Sequence, residues 1–162
     1  MNNNLKFIKG DAIEIFKSFK TSAILMHGAN CQNIMGAGIA RQIKKTLPEL
    51  FIADTKCDFS PKEKLGKISY HRFPVGDKGQ EKIGVNLYTQ FNLGADFSLK
   101  AFEKSLEIWQ EVSESLSLTK DFTYILPKIG SGIGGGNWKE ILDAIKNHFL
   151  VSEKVIIVEY DK

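Results

Sequence analysis

The chain is predicted to fold as a three-layer α/β/α domain around a mixed central sheet. Short apolar segments with strand character alternate with amphipathic helical stretches, which is the pattern of a sheet covered on both faces. One pair of strand segments is joined by turn residues alone, so at least one strand runs antiparallel. Two glycine-rich loops each follow an apolar run and precede a helical pattern, the position where ligands collect at the carboxyl ends of parallel strands.

In chain order, Leu5 to Lys9 alternates as a short strand, and Gly10-Asp11 opens a helical pattern through Ile15 and Phe16. Ser22 to Met26 reads as a buried strand running into a polar loop. Ile39 to Leu47 carries apolar residues at 39, 40, 43 and 47 in helical spacing, and Pro48 permits a second helix to about Cys57. Leu65 to Phe73 and Lys82 to Thr89 are strands joined through Pro74-Val75-Gly76-Asp77-Lys78-Gly79 as a hairpin. Ser98 to Leu116 shows a helical stripe at 99, 102, 106, 109, 112 and 116, which predicts core packing. Phe122 to Leu126 is a central strand, Trp138 to Phe149 an amphipathic helix and Val155 to Tyr160 the last strand.

Its 162 residues fit a single domain, 1–162, able to bury a core without disulfides or metal. With 43% apolar and 25% charged residues, neither disorder nor a membrane protein is suggested. No apolar run approaches the length of a bilayer span, and Met1-Asn2-Asn3-Asn4 lacks the character of a signal peptide, so a cytoplasmic location is expected. Cys31 and Cys57 lack the spacing of a zinc site and read as reduced thiols; no metal and no cofactor is expected. The net charge of +3 contains no basic block of the kind that marks a nucleic-acid arm.

Candidate chemistry concentrates around the glycine loops. Gly36, Ala37 and Gly38 let backbone N–H groups approach an anion at a helix start, and Gly130-Ser131-Gly132-Ile133-Gly134-Gly135-Gly136 forms a second cradle, so the two can grip one diphosphate from both sides. Neither matches a dinucleotide-binding G-x-G-x-x-G or a Walker A sequence, which removes Rossmann oxidoreductases and P-loop NTPases. Asp11 can cap a helix or accept a hydrogen bond from a base's amino group. Asn30 can satisfy a turn or orient a ribose hydroxyl or a water. His27 can be a satisfied structural histidine or an acid–base group near neutral pH. Cys31 lacks a Cys-x5-Arg loop and reads as a packed thiol. Ser131 offers a hydroxyl donor, and Tyr160 and Phe91 are packing residues or stacking platforms.

Lys9-Gly10-Asp11, His27-x-x-Asn30-Cys31 leading into Met35-Gly36-Ala37-Gly38-Ile39-Ala40, and Pro127-Lys128-Ile129-Gly130-Ser131-Gly132-Ile133 with Trp138 stand in the order found in macro domains, and the chain resembles that ADP-ribose-binding family over almost its whole length. It is most similar to the branch holding the fungal ADP-ribose-1''-phosphate phosphatase, the terminal ADP-ribose protein glycohydrolase and bacterial DNA-ADP-ribose hydrolases. The resemblance implies that Asp11 holds the adenine amino group, that Asn30 faces the distal ribose, and that Gly36, Ala37, Gly38 and Ile39 wrap the diphosphate together with Ser131, Gly132, Ile133 and Gly134. Ala12 and Tyr160 complete the expected ligand-binding set.

Two departures bear on the reaction. The glycohydrolases of this branch carry a Thr-Lys pair where this chain has Thr89-Gln90, and the terminal protein glycohydrolases carry an acid where it has Gly134; neither replacement supplies a titratable group. The phosphatase-like relative is the better match, with a shared histidine at 27, asparagine at 30, Gly-Ile after the serine and the Trp138-Lys139-Glu140 run. The expected activity is therefore removal of the phosphate from ADP-ribose 1''-phosphate, with His27 moving the proton and Asn30 orienting the ribose or water. The alternatives are a mono-ADP-ribosyl hydrolase acting on protein or nucleic acid, and a non-catalytic module that binds ADP-ribose or an NAD-derived nucleotide. The expected partners are ADP-ribose or ADP-ribose 1''-phosphate and ADP-ribosylated macromolecules.

Overall fold

In the computed structural model, which describes residues 4–118, 121–132, 134–149 and 153–160, strands and helices alternate along the chain. They are β1 (Leu5–Gly10), α1 (Ala12–Ser18), β2 (Ala23–Asn30), α2 (Gly38–Thr46), α3 (Pro48–Thr55), α4 (Pro61–Lys64), β3 (Ile68–Arg72), β4 (Lys82–Gln90), α5 (Leu99–Ser115), β5 (Thr123–Pro127), α6 (Trp138–His148) and β6 (Lys154–Tyr160). The six strands form one sheet in the order β1-β6-β5-β2-β4-β3. All neighbours pair parallel except β3, which runs antiparallel to β4 at one edge, as the turn chemistry between them requires. The mixed α/β sheet is the one expected.

β2 and β4 lie inside the sheet and are buried along almost their whole length, which suits their near-continuous runs of apolar and small residues. Alternation along β2 separates two cores: Ile24 and Met26 pack with Phe102, Leu106 and Trp109 of α5 and Ile141 and Ile145 of α6. Ala23 and Leu25 pack on the other face with Ile13 and Phe16 of α1, Ile43 of α2 and Leu50 of α3. Helices α1, α5 and α6 begin on side-chain caps from Asp11, Ser98 and Asn137, each accepting from backbone N–H groups of the first turn. Helix α2 begins on Ala37 with no side-chain cap and no acidic residue in its first turn.

Two local differences from the sequence reading stand out. β2 continues through His27, Gly28, Ala29 and Asn30, residues whose polarity suggests a loop; their strand conformation is supported by pairing with β4 as far as Asn30 opposite Gln90, with a register shift between Ala29 and Asn30. The short helix α4, unannounced by any periodicity, starts on a reciprocal capping box between Ser60 and Glu63. Among the described residues, no helix is long and apolar enough to cross a membrane.

Candidate functional site

The carboxyl ends of β2, β4, β5 and β6 open into a cleft of about 540 Å³, a size suited to a nucleotide-class ligand. One wall is the end of β2 and the start of α2, from Asn30 and Ile34 to Gly36, Ala37, Gly38, Ile39 and Ala40; the other is the loop after β5, Lys128 to Gly132 with Gly134. Both glycine loops therefore face one space. Tyr160, 68% exposed, closes it beside the end of β6, and Gln90, Leu93 and Gly94 close it beyond β4.

The α2 wall presents an uncapped helix start. Gly38 has φ +59, and a Cβ there would touch nothing within 4 Å, so its open side faces space. Without a capping side chain, the amides at the start of α2 keep their donors, and the positive end of the helix dipole is not offset by an acid. The opposite wall folds back on itself: Gly136 N–H donates to Gly130 O at 2.6 Å and Gly135 N–H to Gly132 O at 3.1 Å. Gly130, at φ +74, lies so close to the Phe97 ring that a Cβ would come within 2.3 Å of it. Ser131 Oγ donates to Lys128 O at 2.9 Å, so its hydroxyl proton is engaged within its own loop and its oxygen is left as an acceptor. That differs from the free donor expected at this position.

Asn30 and Gln90 are register partners on adjacent strands, and each spends its amide on the loop that follows it. Asn30 Nδ2 donates to Ile34 O at 2.8 Å and its Oδ1 accepts from Gln32 N–H at 2.9 Å. Gln90 Nε2 donates to Asn92 O and Gly94 O, both at 2.8 Å. Among the described residues lining the cleft, Lys128 is the one basic side chain, its Nζ 5.2 Å from the centroid of the Trp138 ring.

No protein-family model matches the chain. It is similar to an uncharacterised 17.5 kDa protein from the tk-vs intergenic region of Enterobacteria phage T4, 34% identical over 158 residues that cover 97% of both chains. It is also similar to an ADP-ribose 1''-phosphate phosphatase of Meyerozyma guilliermondii, 26% identical over 96% of this chain and 99% of that protein. A DNA ADP-ribosyl glycohydrolase of Mycobacterium tuberculosis is 28% identical over 77% of this chain, and the match spans only 34% of that relative's length. Among solved structures, the macrodomain of Mycobacterium tuberculosis DarG superposes with a TM-score of 0.70 at 23% identity, covering 98% of this chain and 97% of that one. Thermosipho africanus DarTG in complex with ADP-ribose superposes with a TM-score of 0.72 at 20% identity, over 98% of this chain and 42% of that one. The chain has the macrodomain fold.

Within this fold the expected site residues fall into two groups. Asn30, Gly36, Ala37, Gly38, Ile39, Ser131, Gly132, Gly134 and Tyr160 line one cleft. Ile133 lies outside the described residues. Asp11 and Ala12 do not line the cleft; they follow Gly10, which is paired with Tyr160, and so stand beside its β6 end. Asp11 caps α1 through Oδ1, which accepts from Ile13 and Glu14 N–H at 2.9 and 3.1 Å.

His27 is a correction. Expected at the reacting centre, it is fully buried and absent from the cleft lining, because strand alternation turns its ring to the sheet face covered by α3. Its Nε2 hydrogen-bonds Asn86 Oδ1, and Asn86 Nδ2 donates to Leu50 O at 3.0 Å. Nδ1 has no hydrogen-bond partner among the described residues. Burial pushes the imidazole below its ordinary pKa, against the Asn86 bond and the Asp54 charge. A neutral ring sealed in the core cannot exchange a proton with a ligand in the cleft.

Other residues take the bland roles. Cys31 is wholly buried beside Tyr88, and burial pushes its thiol up to about 11, so it carries no nucleophilic thiolate near neutral pH. Phe91 packs against the same cluster. Among the described residues no group of three or more His, Cys, Asp or Glu is arranged to hold a metal ion. The sequence reading missed Lys128 as a cleft residue, although it directly precedes the second glycine loop, and missed Ile34 and Leu93, whose only signal was an apolar side chain within a polar loop.

Proposed function

We propose that the cleft binds ADP-ribose and derivatives of its distal ribose, with the diphosphate between the start of α2 and the loop after β5. The observation that carries this reading is the pair of backbone walls: an uncapped, acid-free helix start at Gly38 opposite a glycine loop with Lys128 at its edge. Backbone donors and one cation suit a diphosphate, which needs several donors close together. At the end formed by β6, the side chain of Tyr160 and the carboxylate of Asp11 take the adenine, with the Ala12 N–H as a further donor at the start of α1. Asn30 faces the distal ribose and offers the amide hydrogen and lone pair not used by its own loop.

Of the hydrolytic readings, release of phosphate from ADP-ribose 1''-phosphate fits better than glycosidic cleavage. Gln90 has no nucleophilic group, and Gly134 offers no carboxylate; a Cβ there would already stand 3.0 Å from Gln90 Oε1. Transfer of a phosphoryl group to water can run on positioning and electrostatic stabilisation, which the backbone donors supply without His27. Likeness to the fungal phosphatase over almost the whole chain supports the same choice. A second reading, binding without turnover, is favoured by the cleft's lack of any lining carboxylate or imidazole among the described residues.

Phosphorus NMR of the protein with excess ADP-ribose 1''-phosphate separates the two. Appearance of inorganic phosphate with an intact diphosphate supports the phosphatase. An unchanged ester whose diphosphate resonances broaden on binding supports the binding module.

A further inference from the structure

Behind the first glycine loop the fold buries a lysine. Lys64, the last residue of α4, is 1% exposed, and so is Asp54 of α3, whose Oδ1 accepts from Lys64 Nζ at 2.8 Å. The ammonium also donates to Asp54 O at 3.3 Å and to the side-chain oxygen of Asn33, which accounts for all three of its hydrogens. Its position is held further by the Tyr88 ring, 4.7 Å away at the centroid.

Asp54 is in turn the end of a directed chain. Asn86 Nδ2 donates to Ser69 Oγ at 2.9 Å, Ser69 and Tyr88 share a 2.7 Å hydrogen bond, and Tyr88 Oη–H donates to Asp54 Oδ1 at 2.7 Å. Tyr88 keeps its proton, since burial pushes its pKa up. A buried ion pair is an expensive way to fill space, and apolar residues of similar volume often do as well for stability. What apolar residues cannot do is reach Asn33. That residue is exposed, adopts the left-handed φ of 59°, and stands three residues ahead of Gly36 in the loop that delivers the first turn of α2 to the cleft.

We propose that Lys64, held by Asp54 and Tyr88, is a positioning residue for the ligand: by fixing Asn33 it sets the amides of residues 36–39 against the diphosphate and distal ribose. The inference rests on the ADP-ribose reading of the cleft and adds the device that makes one wall rigid. Because the Lys64 contact lies on the α2 side, its loss weakens the diphosphate end of the ligand and spares the adenosine end.

Calorimetric titration with ADP-ribose and, separately, AMP tests this on three proteins. Asn33→Gly keeps the left-handed backbone and removes the acceptor at an exposed position; Asn33→Asp restores an acceptor; Lys64→Met with Asp54→Leu removes the ion pair without leaving a buried charge. The expected result is that Asn33→Gly and the double variant lose about tenfold in ADP-ribose affinity while AMP affinity stays within about twofold, and that Asn33→Asp binds as the parent does. Unchanged ADP-ribose affinity in both, with only thermal stability lowered, overturns the positioning role, as does an equal loss for both ligands. A parent protein that fails to bind ADP-ribose overturns the reading of the cleft itself, an outcome visible before any variant is made.

Discussion

Loop 31–37 is fixed by what its side chains reach, whereas loop 128–136 is fixed by where side chains are missing. In the first, Asn30 ties Ile34 and Gln32, Gln32 Nε2 donates to Phe91 O at 3.0 Å, and Lys64 holds Asn33. In the second, Gly130 and Gly136 let the backbone close on itself beneath the Phe97 ring, and among the described residues Ser131 is the one whose side chain bonds within the loop. Two ways of making a rigid wall carry different weaknesses. Deleting a partner loosens the first, and adding a methyl group distorts the second.

The largest effect is expected on the first side. Lys64→Met leaves the Asp54 carboxylate buried without its cation, at a cost of about 3–5 kcal/mol in chemical denaturation. Adding Asp54→Leu to it recovers most of that loss, because the buried pair is then absent as a unit. If the double variant is as unstable as the single one, the ion pair is not what holds this side together.

The second loop is expected to answer to crowding. Gly130→Ala combines a left-handed φ of +74 with a Cβ 2.3 Å from Phe97 Cδ1, and its cost is about 3 kcal/mol. At Gly132 an added Cβ meets nothing within 4 Å, so Gly132→Ala is expected to stay within about 0.5 kcal/mol of the parent. Combining Gly130→Ala with Phe97→Ala gives less than the sum of the two losses, since the ring is the obstacle. Strict additivity in denaturant midpoints contradicts the packing account.

The same contrast explains what was legible in the sequence. Glycine is a signal in itself, so both loops and the helix start at Gly38 were readable, as were the strands and long helices whose burial follows from spacing alone; both loops line one cleft. The network behind the first loop was not. Asp54, Lys64, Tyr88 and Asn86 come from three elements separated along the chain, and the pairing of α3 with α4 follows from tertiary packing that no local pattern encodes. His27 shows the cost. A histidine near a strand exit reads as reactive, but extending β2 through it turns its ring to the buried face, where Asn86 receives it. Gln90 was read correctly as a residue without titratable chemistry; its use as the clamp on Asn92 and Gly94 required the register with Asn30.

Burial of His27 on β2 gives stability a pH dependence. His27 has a pKa lowered by burial, and the unfolded chain takes up its proton near the ordinary value of about 6.5. Below that pH the unfolded state binds more protons, so stability present at neutral pH falls as the pH drops, by up to about 1.4 kcal/mol per unit for this group. His148, also lowered by burial, adds a slope of the same sign. Urea midpoints measured from about pH 7.5 to 5.5 are expected to fall in the parent and to fall less steeply in His27→Gln and in His148→Gln. A parent slope unchanged by His27→Gln would mean that its ring already takes a proton in the folded state.

Small stability effects are expected where the two walls face each other across the cleft. Gly38→Ala places a Cβ in open space at φ +59, so only the left-handed backbone costs, about 1 kcal/mol. That methyl group projects into the room an anion needs at the first turn of α2, and ADP-ribose affinity is expected to fall by about tenfold or more, well beyond what the stability loss implies. Gly132→Ala, equally free of clashes but without a positive φ, gives the matching measurement on the opposite wall. Loss at both positions means that the diphosphate is gripped from both sides. Loss at Gly38 alone means that the helix start does the binding and that the glycine loop after β5 serves to shape the cleft around it.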